Sequence, residues 1–187
     1  IWETDEKTEE YFALHNRPEA YKKLTPAPLA CYDALIELDL SALEPMIALP
    51  FHPSNVYTIR ELNENASDIL RATEKAGAEL LGLPEGRLRL TDKITKAGIR
   101  ADQGVIAGCA GGTFDNLCAA ADILRGKTAG NGEFALSFYP QSQPVLTELM
   151  ANGCAAALVR AGASLRSAFC GPCFGAGDVP ANNGLSI

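Results

Sequence analysis

Gly104-Val105-Ile106-Ala107-Gly108-Cys109-Ala110-Gly111-Gly112-Thr113-Phe114-Asp115-Asn116-Leu117 holds three kinds of local structure in one run. Val105, Ile106 and Ala107 form a short apolar stretch that predicts a buried strand. Gly108 to Gly112 carry almost no side chain and predict a loop. Thr113 or Asp115 then offers an oxygen to the free amides of a helix, whose apolar positions are Leu117, Ala120, Ala121 and Leu124 and whose end is Gly126. The alternation continues downstream. Phe134 to Tyr139 predict a strand, Ser142 with Pro144 opens a helix that closes at Gly153, and Ala155 to Ala161 predict another helix. Leu165 to Phe169 predict a strand running directly into Cys170. Strands alternating with helices predict an α/β fold: a three-layer α/β/α domain with a mainly parallel sheet and helices on both faces.

Upstream, Thr4, Asp5 and Glu6 followed by Tyr11, Phe12 and Leu14 predict a capped helix, and Pro18 restarts the chain for one more turn. Pro26 and Pro28 predict an extended connector. Ile36, Leu38 and Leu40 alternate with Glu37 and Asp39, which predicts a strand with one wet face. Pro45, Pro50 and Pro53 predict a rigid loop. Residues 67–81 predict an amphipathic helix, with Ile69, Leu70, Thr73, Ala76, Leu80 and Leu81 on one stripe, ended by Gly82 and Pro84. Between Gly86 and Asp102 the pattern is ambiguous, with Leu88 and Leu90 as a candidate strand.

Composition narrows the function classes. The chain has 187 residues, of which 47% are apolar and 21% charged, and its mean hydropathy is +0.01. A domain of that size buries about 70% of its unfolded surface, so it needs no disulfide scaffold. No run of apolar residues is long enough to span a membrane. The net charge of −7 predicts neither nucleic acid nor an anionic membrane surface as a partner. The acidic start (Glu3, Asp5, Glu6, Glu9, Glu10) reads as a solvated helix face. No charged-then-apolar leader is visible, and the expected compartment is the cytoplasm. Ile1 in place of Met, and the polar run Ala181-Asn182-Asn183-Gly184 near the end, predict a segment of a longer protein.

Six cysteines remain to be explained. Cys118 and Cys154 sit in helical apolar stretches and read as small buried hydrophobes. Cys31 lies in a loop with no partner by spacing. Cys109, Cys170 and Cys173 each follow a predicted strand, in loops rich in Gly or Pro. In a parallel sheet the carboxyl ends of the strands share one edge, so these three thiols are expected to converge there. Three chemistries suit them. Cys-Gly-Pro-Cys is also a thiol–disulfide oxidoreductase tetrapeptide, although in that fold a long helix follows it, and Gly175, Gly177 and Pro180 oppose one here. A structural zinc site wants a fourth ligand, which neither His15 nor His52 obviously supplies; both read as surface residues. An iron–sulfur cluster on three thiolates leaves one iron open as a Lewis acid.

At these residues the chain resembles the third, cluster-bearing domain of the aconitase family. Tyr32-Asp33-Ala34-Leu35-Ile36-Glu37-Leu38-Asp39-Leu40-Ser41 with Leu43-Glu44-Pro45 resembles the strand that opens that domain. Pro50-Phe51-His52-Pro53 resembles its Pro-rich loop. Ile106-Ala107-Gly108-Cys109 with Phe114-Asp115-Asn116-Leu117 resembles the first cluster loop and its helix. Pro140-Gln141-Ser142 sits where the family has Pro-Gly-Ser, and Cys170-Gly171-Pro172-Cys173-Phe174-Gly175 resembles the second cluster loop.

The resemblance covers residues 30–187, with an insertion near 65–95, and leaves 1–29 as a helical lead-in. It implies a [4Fe–4S] cluster held by Cys109, Cys170 and Cys173. It also implies a parent hydro-lyase that dehydrates and rehydrates a hydroxy-di- or tricarboxylic acid, with the remaining domains of the same protein as partners. The family's catalytic residues lie on other domains, so none is expected here, and the segment alone is expected to be inactive and without its cluster. Cys170 and Cys173 are then expected in a loose or partly disulfide-bonded loop. Where the family commonly has Ser before the first cluster cysteine and Thr-Asn after it, this chain has Gly108, Ala110 and Gly111. That departure implies either a divergent hydratase or an aconitase-fold binding module without cluster chemistry.

Overall fold

A computed structural model describes residues 2–130 and 132–187. In chain order its first elements are α1 (Glu6–Leu14), β1 (Met46–Ala48), β2 (Val56–Thr58), α2 (Ile59–Glu64) and α3 (Ala66–Leu81). Next come β3 (Ile94–Thr95), β4 (Gly98–Ile99), β5 (Gln103–Ile106), α4 (Gly108–Gly111) and α5 (Phe114–Leu124). The series closes with β6 (Ala135–Phe138), α6 (Gln143–Ala151), α7 (Cys154–Arg160) and β7 (Ser164–Leu165). Two compact units divide the chain: Ile1–Leu35 with Gln103–Val179, and Ile36–Asp102 with Pro180–Ile187.

The first unit is built on a parallel sheet of order β5-β6-β7, an α/β arrangement with flanking helices. Ile106 pairs with Phe138, and Phe138 with Leu165, so these side chains share one face. Phe138 on that face, Leu117 of α5, Leu149 of α6 and Leu158 of α7 are all 0% exposed and form one cluster with Ala121, Val145 and Ala157. Burying each such large side chain is worth about 1.5–3 kcal/mol. Alternation sends Gln103, Ser137 and Tyr139 to the opposite face, where they are buried as well.

Side-chain caps start three helices of this unit. Thr113 caps α5, and Ser142, followed by Pro144 in the first turn, caps α6. At α1 the cap is Asp5, which forms a reciprocal capping box with Thr8. Thr4 instead turns its hydroxyl to Lys22, donating to the carbonyl at 3.1 Å, and accepts from the Leu24 amide. His15 at the end of α1 donates Nδ1–H to the Tyr11 carbonyl at 2.8 Å. Its Nε2 hydrogen-bonds with the Ser142 hydroxyl at 2.9 Å. His15 is thus a clasp between α1 and the cap of α6.

The second unit holds two small hairpins, β1 with β2 and β3 with β4, and the helix pair α2 and α3. Thr58 and Glu61 form a capping box on α2. The α3 helix buries Leu70, Thr73, Gly77 and Ala78, and Gly82 ends it at φ 62°. Gly77 packs edge-on against the Phe51 ring, which would have to shift to admit a Cβ there.

Several expected elements differ. Residues 36–40 form no strand: Ile36 is 92% exposed, and the chain there makes only a 3₁₀ turn at Leu40–Ala42. No partner strand pairs with this stretch among the described residues, and alternation without a partner leaves the backbone amides to water. The Pro-rich segment after Pro45 is not loop throughout, since Met46–Ala48 pairs with Val56–Thr58 across the turn that carries Pro50 and Pro53. Leu88 and Leu90 lie outside any strand, and the hairpin of this region falls later, at Ile94–Ile99. The strand expected at 165–169 is Ser164–Leu165, after which the chain leaves the sheet.

Candidate functional site

Cys109 lies on α4, a single helical turn where a plain loop was expected, just past the carboxyl end of β5. Three contacts fix that turn. The Gly112 amide donates to the Gly108 carbonyl at 2.9 Å, the Asn116 side chain donates to the Ala110 carbonyl at 2.7 Å, and the Gln141 side chain donates to the Cys109 carbonyl at 3.3 Å. Asn116 belongs to α5 and Gln141 follows β6, so the turn is held by its own helix and by the neighbouring strand. Gly112 has no room for a side chain, because a Cβ there would lie 2.2 Å from the Tyr139 carbonyl oxygen.

Cys170 precedes a short 3₁₀ turn, Gly171–Phe174, and Cys173 lies within it. The Cys173 amide donates to the Cys170 carbonyl at 3.3 Å, and the Ala176 amide to the Gly171 carbonyl at 2.9 Å. Gly175 closes the turn at φ 78°, so no long helix follows the second cysteine, as the oxidoreductase alternative would need. Both thiols are free and exposed, with no disulfide between them.

The two cysteine turns meet. Gly108 has φ +87°, and a Cβ there would stand 2.8 Å from Cys173 Sγ. The Cys173 thiol is pushed above its ordinary range by desolvation first, then by the Cys170 and Cys109 sulfurs beside it. The turn of Cys170 and Cys173 thus lies against the turn of Cys109, past the carboxyl end of β5. Among the described residues, no three His, Cys, Asp or Glu side chains are gathered tightly enough for a single metal ion. A cluster in which each thiolate holds its own iron spaces its sulfurs more widely. Three free, exposed thiols on two turns that touch at Gly108 are the kind of donor set such a group takes.

The other candidates fall elsewhere. Cys154 is 7% exposed in the core, and Cys118 beside it accepts a hydrogen bond from Asn152 at 3.4 Å. Burial and the Cys154 thiol push the Cys118 thiol up, as suits inert core cysteines. Cys31 is exposed and apart in sequence from the cysteine turns. His52 accepts the Ser54 amide at 3.1 Å within its own turn. Gln141 and Asp178 were not singled out by residue chemistry: each is a lone polar residue in a loop, and only tertiary packing gives it a partner.

A family model described as "Aconitase family (aconitate hydratase)" matches residues 1–187. The 3-isopropylmalate dehydratase large subunit of Moorella thermoacetica is 29% identical over 175 residues, 94% of this chain and 33% of that protein. The corresponding large subunit of Clostridium beijerinckii is 30% identical over 94% of this chain and 33% of its own length. Large subunit 1 of Methanopyrus kandleri is 30% identical over 91% and 32%. The chain thus spans about a third of the length of the curated relatives it matches. No helix among the described residues is long and apolar enough to cross a membrane.

Proposed function

The chain belongs to the aconitase family, and from that premise we propose that it is the cluster-bearing segment of a hydro-lyase acting on a hydroxy-di- or tricarboxylic acid. Cys109, Cys170 and Cys173 would each hold one iron of a [4Fe–4S] cluster. When bound, such a cluster supplies an open, Lewis-acidic iron that takes the substrate's hydroxyl and carboxylate. This chain's residues do the holding. Asn116 and Gln141 fix the Cys109 turn through two carbonyls, and the Gly171–Phe174 turn fixes the spacing of Cys170 and Cys173. The absence of a Cβ at Gly108 lets the two turns approach. The base that removes the carbon-bound proton would come from another part of the parent, in the cytoplasm, and this segment alone would be inactive.

The meeting of Cys173 Sγ with the Gly108–Cys109 turn carries this reading. The names of the relatives favour a hydroxy-dicarboxylate of the isopropylmalate type as the first substrate to try. Anaerobic reconstitution of the full-length parent should give about four irons and four sulfides per chain, and Cys170→Ser should lose most of both. A parent that stays colourless rejects the cluster. A parent that binds it but turns over nothing on a panel of hydroxy-di- and tricarboxylates is a binding module instead, a reading favoured only by the small residues Gly108, Ala110 and Gly111 beside the first cysteine.

A further inference from the structure

Beyond the ligands, one carboxylate ties the second cysteine turn to β5 and to the end of β6. Asp178 follows that turn closely, and its side chain is only 10% exposed. Its Oδ1 accepts from Gln103 Nε2 at 2.7 Å, and its Oδ2 accepts from the Tyr139 hydroxyl at 2.8 Å. The Arg166 guanidinium lies 4.0 Å from Oδ2. Gln103 opens β5, Tyr139 follows β6 and Arg166 follows β7. Gln103 is 4% exposed and Tyr139 5%, so these are buried bonds that water does not replace.

The two stems of the cysteine turn are thereby fixed. On the incoming side, Arg166 donates its amide to the Phe138 carbonyl at 3.0 Å. On the outgoing side, Asp178 is clamped on the polar face of the sheet. Between them, Gly171 and Gly177 wrap the Phe169 ring, and a Cβ at Gly171 would lie 1.9 Å from it. Burial and the Asp178 carboxylate push the Tyr139 phenol above its ordinary value, so it remains a proton donor to Asp178.

We propose that Asp178 is the positioning residue for Cys170 and Cys173, holding their turn at the height where it meets Cys109. The proposal deepens the cluster reading and rests on it for its purpose, while the positioning itself can be measured without a cluster. Gln103 Oε1 is buried without a partner. A Gln103 amide turned over could therefore accept from an asparagine amide, which makes Asp178→Asn the milder variant and Asp178→Ala the severe one.

The test uses the full-length parent, as wild type and as Asp178→Ala, Asp178→Asn and Tyr139→Phe. Amide hydrogen exchange is followed in the cluster-free protein, and loss of the cluster to an iron chelator in the loaded protein. Asp178→Ala should speed exchange over residues 170–178 at least tenfold, with exchange elsewhere unchanged, and speed cluster loss several-fold. Asp178→Asn and Tyr139→Phe should fall between it and wild type. If Asp178→Ala does not fold, Tyr139→Phe decides, since it removes one donor and keeps the ring. Unchanged exchange at 170–178 in both Tyr139→Phe and any folded Asp178 variant overturns the proposal. So does faster exchange spread evenly over the chain, which marks a purely structural role. A wild type that loads no cluster defeats the proposed function and leaves the exchange result to judge Asp178.

Discussion

Phe138 and Ile36 are both large apolar residues in short runs of mixed polarity, and they end at opposite extremes of exposure, 0% against 92%. Phe138 stands in the middle strand of three, with Ile106 on one side and Leu165 on the other, and three helices close over it. Ile36, Leu38 and Leu40 have neither neighbour among the described residues, and all three are exposed. The difference lies outside the side chains themselves. An extended run becomes a strand only when another run satisfies its amides and carbonyls, and it becomes core only when something covers its apolar face. Residues 46–102 stand between these extremes, held by caps, tight turns and one charged cluster around a thin buried stripe on α3.

Substitutions should rank the regions in that order. The largest effect belongs to the covered face: Leu158→Ala should destabilise the chain by about 2–5 kcal/mol in denaturant unfolding. A loss under 1 kcal/mol there would mean that the cluster around Phe138 is not the core. In the intermediate region Gly82→Ala should cost about 1 kcal/mol, because the left-handed backbone at φ 62° is strained for any residue with a Cβ although the space around it is open.

A smaller, pH-dependent effect belongs to Asp102. Its carboxylate accepts from Lys93 Nζ at 2.6 Å and from the Leu185 amide at 2.8 Å, and these bonds hold its pKa below the ordinary carboxylate value. A lowered folded-state pKa gives stability that is full above about pH 4, the unfolded value, and is lost as the pH falls through the lowered one. Unfolding midpoints measured from neutral pH down into acid should fall less steeply in Asp102→Asn than in wild type. The smallest effect belongs to Ile36: Ile36→Ser should change the stability of this chain by no more than about 0.5 kcal/mol. A loss of several kcal/mol would show that Ile36 is covered after all, and would erase the contrast with Phe138.

Helix starts and stops were legible in the sequence because their causes are local. Ser142 with Pro144, Thr113 and Gly82 each act within a turn of where they stand. At the amino end Thr4 and Asp5 both offer a capping oxygen, and the choice of Asp5 depends on the interaction of Thr4 with Lys22 and Leu24, which lie far along the chain. The cysteine turns were legible as motifs, and the parallel sheet supplied a reason for them to meet. The hairpin of Met46–Ala48 with Val56–Thr58 was hidden by its prolines, which sit in the connecting turn and leave the paired residues free.

The order of residues alone determined the main helices α1, α3, α5, α6 and α7, the capping of α5 and α6, and that three particular thiols follow predicted strands of one sheet. Tertiary structure alone decided which extended runs found partners, that Gly108 makes room for Cys173, and that Asp178 meets Gln103, Tyr139 and Arg166. The physical reason is range. Capping and turn preferences act between neighbours in sequence, whereas strand pairing and the burial of a carboxylate depend on groups far along the chain, whose meeting no local pattern records.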